Sequence, residues 1–368
     1  MKHARRIQGA ALAAVLCLGA SHRAPSAQSL PAAQPSAYEK AADWPKLPSG
    51  LSFETCKDGV CQTPVIGILP DGSGNVWILA RLPTPIIKLD SAGRVVTSFG
   101  EGLFVNPHGF CMDAAGALWA GDSGVSAPNT PPKGAQFHKF GQDGTRLMSL
   151  GQAGVSRVGP ETFLGPTACA IAANGDVIIA DGHIPRATSE GEGDRLVRFS
   201  KDGRFMQTIG KTGSGPGEFR GPHALAFDSQ GRLFVADRSN SRIQIFDTNL
   251  TFAAEWRQFG RPSALVILPD DTLIVSDFET GGAVAWPDRP GEPSVRSGVT
   301  TGIRNPGFTG RARSRTYGPD TTLVHVGRAR DGSMQAEFEA ARSEALGADL
   351  RGAIYTGPAK YLARQGSK

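Results

Sequence analysis

The sequence predicts an all-β fold: a six-bladed β-propeller with four-stranded blades around a central channel. Three observations carry that prediction. Glycine (47) and proline (26) are abundant in 368 residues and aromatics are few, a composition suited to short strands and tight turns. Short apolar stretches alternate with period two between clusters of Asp, Asn, Ser and Gly. One strand–turn–strand pattern recurs at a spacing close to that of a propeller blade, four strands in about 40 residues.

The N-terminus reads as an export signal. Lys2, Arg5 and Arg6 form a basic start, Ile7 to Ala20 is a short apolar run, and small residues follow to Ala27. That run is too short to span a bilayer comfortably. Leu16 stands before Cys17 where a lipid-attachment motif needs a small residue. A signal peptide over 1–27 therefore predicts release into a bacterial periplasm or the medium. Residues 28–43 are expected to be a flexible linker, and residues 44–368 the propeller.

The formal charge of +5 comes largely from the signal. Without Lys2, Arg5, Arg6 and Arg23, 35 basic residues face 34 acidic ones. Such a chain has no electrostatic case for nucleic acid or an anionic membrane, and a monomer is expected. Cys56 and Cys61 bracket a turn-like Lys-Asp-Gly-Val and are expected to form a local disulfide in an oxidising compartment. Cys111 and Cys169, in apolar strands, are expected to be buried thiols.

The repeat units follow in order. VIGILPDGSGNVWILA (65–80) leads to IIKLDSAGRVVTSFG (86–100), and NPHGFCMDAAGALWAGD (106–122) to FHKFGQDGTRLMSLG (137–151). PTACAIAANGDVIIADG (166–182) leads to LVRFSKDGRFMQTIG (196–210). The fourth unit, GPHALAFDSQGRLFVADRSNSRIQIFD (221–247), is the clearest. RPSALVILPDDTLIVSD (261–277) is a fifth copy and SEALGADLRGAIYTG (343–357) a degenerate sixth. Equivalent first-strand positions are Ile66, His108, Thr167, His223, Ser263 and Glu344, separated by 42, 59, 56, 40 and 81 residues. The longest gap holds 281–322, rich in Pro, Gly and Arg, expected to be an insertion in blade five. The charged run Glu190–Arg198 is expected to be a solvated loop.

The segments GSGPGEFRGPHALAFD and ADRSNSRIQIFD resemble an NHL repeat. Together with Trp77-Ile-Leu-Ala-Arg81, Asn106-Pro-His108-Gly, Ala180-Asp-Gly-His183 and Gly221-Pro-His223-Ala, they make residues 44–365 similar to the peptidyl-α-hydroxyglycine α-amidating lyases and their bacterial relatives. The resemblance implies a zinc site built from three His, two of which match His108 and His223, while Glu344 stands at the third position. It implies active-site arginines at Arg81 and Arg238, and a catalytic Tyr where this chain has His183. The family's calcium-binding carboxylate falls at Ala345, so the resemblance implies no calcium here.

These positions also make chemical sense by themselves. First strands line a propeller channel, and blades two, four and six lie about 120° apart in plan. His108, His223 and Glu344 are thereby expected to form a tripod for a divalent metal, with zinc the first choice. Arg81 and Arg238, ending second strands, can hold a substrate carboxylate, and His183 can transfer protons. Each residue also has a structural reading, as a hydrogen-bonded strand-start His, an Arg paired with Asp237, or a plain loop residue. A lyase-like enzyme acting on a small carboxylated, α-hydroxy or peptide-derived substrate is expected. The alternatives are a lactonase-type metal-dependent hydrolase and a non-catalytic NHL binding scaffold.

Overall fold

The computed structural model describes residues 38–57, 60–182, 193–259, 261–277, 321–341, 343–357 and 359–363. They form six four-stranded antiparallel sheets and one hairpin. The innermost strands are Val65–Pro70, Pro107–Met112, Pro166–Ile171, Pro222–Phe227, Pro262–Ile267 and Leu346–Ala348. Each packs on the innermost strand of the next blade, and the sixth packs on the first, which closes the ring. The expected six-bladed propeller is the fold.

Packing explains which strands show alternation. Both faces of a blade are covered by its neighbours, so the second strands Val76–Ala80 and Leu233–Asp237 are buried throughout. In the fourth blade Leu233 and Val235 enter the core shared with blade three, whereas Phe234 and Ala236 enter the core shared with blade five. The outer strands Val95–Phe99 and Phe205–Ile209 keep exposed positions along their length. Fully burying side chains such as Phe137, Phe163 or Phe219 contributes about 1.5–3 kcal/mol each.

Blade six is closed by both ends of the described chain. Tyr38–Lys40 pairs with Ala359–Ala363, with Tyr38 opposite Ala363. Tyr38 stacks on Phe338 of blade five at 4.7 Å between ring centroids. The linker read over 28–43 therefore contains a strand; its composition hid a pairing that only ring closure creates. In blade five the third strand, Thr321–Arg328, includes Thr321 and Thr322, so the segment read as an insertion ends before them. Residues 278–320 lie outside the described residues.

The cysteine reading changes. Cys111 and Cys169 form a disulfide between the innermost strands of blades two and three, with Cα atoms 5.8 Å apart across 58 residues of sequence. Both were expected to be thiols because the strands were read singly; the contact exists only where two blades meet at the axis. Cys56 and Cys61 are directly opposed in the hairpin Thr55–Lys57/Val60–Gln62, while the bridge expected between them lies outside what is described. Among the described residues no helix is long and apolar enough to cross a membrane.

Buried aspartates on the second strands of blades two, three and four bind the chain that enters each of those blades. The Asp122 carboxylate accepts the Val105 and Asn106 amides at 2.7 and 2.8 Å. Asp181 accepts those of Leu164 and Gly165, and Asp237 that of Arg220. The third strand supplies a counter-ion in two blades, Arg195 to Asp181 at 3.1 Å and Arg242 to Asp237 at 2.7 Å, and in blade five His325 Nε2 lies 3.0 Å from the Asp277 carboxylate. Both arginine–aspartate pairs are buried, so removing one partner of either costs about 3–5 kcal/mol. Arg195 also corrects the solvated-loop reading of Glu190–Arg198: it starts a strand and is buried. Charge composition misled there because the partner carboxylate lies on another strand.

Asp194 is one of the pH-sensitive groups beside this layer, in which burial also pushes the Asp237 carboxyl up to about 6. Asp194 accepts the Gly221 amide at 2.9 Å and the Thr212 hydroxyl at 3.1 Å. Burial pushes its carboxyl up to about 6, with the nearby Asp237 charge adding to the shift. A raised folded-state value means that its contribution to stability is full below the unfolded value and is lost as pH rises to about 6. Asp194→Asn is expected to remove this loss. Urea unfolding of both proteins from pH 4 to pH 7 is expected to show the variant gaining about 1–3 kcal/mol relative to the parent across that window; parallel curves would contradict it.

Candidate metal centre

Three side chains converge at one end of the axial channel. His108 and His223 are each the second residue of an innermost strand, in blades two and four. Glu344 lies two residues before the innermost strand of blade six. One ligand atom from each of the three falls within 4.8 Å of the others. Among the described residues no other trio of His, Cys, Asp or Glu is gathered this closely. The two imidazoles are buried and meet nearly edge-on, with centroids 4.9 Å apart and planes at 80°.

Backbone carbonyls orient both rings. His108 Nδ1 lies 2.8 Å from the carbonyl oxygen of Thr167, and His223 Nδ1 lies 2.6 Å from that of Ser263. A carbonyl oxygen only accepts, so Nδ1 must carry the proton in each ring. In the neutral imidazole this makes Nε2 the lone-pair atom, the tautomer that metal-binding histidines use with such an outer partner. The Thr167 hydroxyl donates to Pro222 O at 2.6 Å, immediately before His223. A chain of hydrogen bonds thus runs from blade two to blade five through both histidines.

Glu344 is held from blade five. The Ser343 amide donates to Thr322 Oγ1 at 3.0 Å, and the Ala345 amide to Ser343 Oγ at 2.9 Å. Its carboxylate also meets the two arginines singled out in the sequence. Arg81 Nη2 is 3.6 Å from Oε2, and Arg238 Nη1 is 3.5 Å from Oε1. Arg81 follows the second strand of blade one directly and is half-exposed. Arg238 is buried and opens a short 3-10 turn, Arg238–Asn240, which Asp237 stabilises through Asn240 at 2.8 Å. The structure thus brings together five of the six predicted site residues; His183 lies outside the described residues.

The donor set fits a divalent ion. Two imidazole nitrogens and one carboxylate oxygen suit zinc and leave a coordination position for substrate. Two guanidinium groups against one carboxylate make the mouth positive and favour an anionic ligand. The channel beyond, of about 420 Å³, is lined by the innermost strands, with Thr167 and Ser263 at the level of the histidines. A separate cleft of about 240 Å³ lies between Arg81, Leu82, Phe104, Val105 and Pro107.

Three supporting features were not recognised as such in the sequence. Thr167 and Ser263 appeared only as repeat equivalents of the histidines, yet their carbonyls fix the rings. The tie from Glu344 to both arginines had no local signature. Gly109 was part of a quoted motif, but its role comes from the neighbouring blade. It has φ of 76°, and a Cβ there would stand 2.7 Å from the Thr167 oxygen that holds His108.

Comparison with known proteins agrees with the fold and the resemblance. Residues 219–246 match the NHL repeat family model. A probable peptidyl-α-hydroxyglycine α-amidating lyase of Caenorhabditis elegans is 32% identical over 162 residues, 43% of this chain and 41% of that protein. The NHL repeat-containing protein 3 of Homo sapiens is 28% identical over 253 residues, 65% of this chain and 66% of that protein. The chain therefore spans less than two thirds of the length of these curated relatives. Among solved structures, a gluconolactonase from Xanthomonas campestris superposes with a TM-score of 0.52 at 14% identity, covering 81% of this chain and 84% of its own, a likeness of fold. The chain thus carries an NHL repeat within its propeller and is similar in sequence to amidating lyases over part of its length.

Gly109→Ala is expected to destabilise the protein by about 1–3 kcal/mol through the backbone conformation alone, with the clash against Thr167 adding to it. Urea unfolding reads this directly; an unchanged midpoint would show that blades two and three do not meet as closely as described.

Proposed function

We propose that this chain is an exported, divalent-metal-dependent lyase of the amidating-lyase kind, acting on a small carboxylated α-hydroxy compound. The observation that carries the reading is the convergence of His108, His223 and Glu344 within 4.8 Å, both rings fixed with Nε2 as the lone-pair atom. The sequence relationship to lyases supports the reaction class. Export is supported by the basic-then-apolar N-terminus and by the Cys111–Cys169 disulfide, which suits an oxidising compartment.

The reaction of that class splits an N-acyl-α-hydroxyglycine into an amide and glyoxylate. The hydroxyl proton leaves, its oxygen becomes a carbonyl, the C–N bond breaks and the nitrogen takes up a proton. His108, His223 and Glu344 would hold the metal, which when bound supplies Lewis-acid stabilisation of charge developing on substrate oxygen. Arg81 and Arg238 would bind the substrate carboxylate in competition with their present partner Glu344. His183 is the residue assigned to proton transfer, an imidazole being able to exchange protons near neutral pH. The acyl part would occupy the cleft beside Phe104 and Val105.

The test is metal content by mass spectrometry, with glyoxylate release measured on the same samples. About one zinc or similar ion per chain is expected, falling at least tenfold in His108→Ala/His223→Ala. Arg238→Ala is expected to keep the metal and raise KM at least tenfold for an N-acyl-α-hydroxyglycine. A protein that stays metal-free after reconstitution with zinc would overturn the enzyme reading and leave a binding scaffold. A loaded protein without turnover would overturn the substrate assignment.

A further inference from the structure

We infer that the Cys111–Cys169 disulfide is the positioning device for His108, setting the approach of blade three that points its imidazole at the tripod; for its effect on metal this rests on the proposed metal centre. Blades two and three are separate sheets, so no ladder of backbone hydrogen bonds fixes how their innermost strands lie against each other. Two ties cross that gap near the site. One is the His108 Nδ1–H bond to Thr167 O at 2.8 Å. The other is the disulfide, three residues after His108 on one strand and two after Thr167 on the other.

The first tie depends on the second for geometric reasons. The hydrogen bond is good only over a few tenths of an ångström around its length, and between these strands only side-chain packing, with no backbone ladder, otherwise opposes a slide or spread. Gly109 permits a close approach but does not enforce it; its bulge, between His108 and Phe110, also interrupts the pairing of His108's own strand with the next. The covalent bridge holds the Cα atoms at 5.8 Å and so keeps Thr167 O within reach of the ring. His223 offers an internal comparison. It makes the same kind of bond, to Ser263 O, across blades four and five, and no cysteine lies on either of its strands, Pro222–Phe227 and Pro262–Ile267.

The experiment uses the mature protein and Cys111→Ala/Cys169→Ala. In the metal-free state, imidazole N–H resonances are followed by NMR and assigned through His108→Ala and His223→Ala. The zinc dissociation constant is then measured by chelator competition. The expected result is a cooperatively folding variant in which His108 Nδ1–H exchanges at least tenfold faster, His223 Nδ1–H is unchanged, and the zinc dissociation constant rises at least tenfold, as losses of outer partners do. Equal protection of both rings with zinc affinity within twofold of the parent would overturn the inference. So would equal loss of protection at both rings, the mark of a merely structural bridge. Should the alanine pair fail to fold, Cys111→Val/Cys169→Ala keeps the volume and gives the same readouts. If the parent binds no zinc, the metal reading falls and the metal-free ring-proton comparison alone decides the positioning.

Discussion

Six sheets arranged around an axis share no backbone ladder with one another, so their innermost strands must be tied by other means. Here the ties are side chain to backbone. His108 donates to Thr167 O, the Thr167 hydroxyl to Pro222 O, and His223 to Ser263 O. This belt serves packing and chemistry together. The bonds that join the blades also select the tautomer of the two imidazoles that gather with Glu344. The architecture and the candidate centre therefore depend on the same atoms. The disulfide reinforces the belt where it begins.

A second layer of constraint supports the first. Asp122, Asp181 and Asp237 lie on second strands and capture the amides of the chain entering their blades. That chain leads within two or three residues to the innermost strand, and in blades two and four to His108 and His223. Asp237 also fixes the turn that starts with Arg238. A carboxylate remote from the tripod thus sets the position of an arginine at its mouth. The buried charges of Asp181 and Asp237 are matched on the third strand, by Arg195 and Arg242.

Much of this was legible in the sequence because propeller geometry turns repeat position into spatial position. Aligning the units put His108, His223 and Glu344 at equivalent places, and equivalent places meet on the axis. What was not legible arises between units. Cys111 and Cys169 look like apolar strand residues until blades two and three are set side by side. Tyr38 looks like linker until ring closure gives it a partner strand. Arg195 looks solvated until Asp181 is brought beneath it, and Gly109 is only the end of the Asn106-Pro-His108-Gly motif until the Thr167 carbonyl is seen against it. Periodicity reports each strand's own burial; contacts between blades depend on the twist and spacing of the ring.

The central claim is that the belt-held imidazoles and Glu344 form a metal centre. Anomalous diffraction from crystals of the purified protein, recorded on either side of a zinc absorption edge, tests it most directly. The account predicts one anomalous peak per chain, within coordination distance of His108 Nε2, His223 Nε2 and a Glu344 carboxylate oxygen. Crystals grown with zinc that show no peak at the tripod, or a peak only elsewhere on the chain, would contradict it.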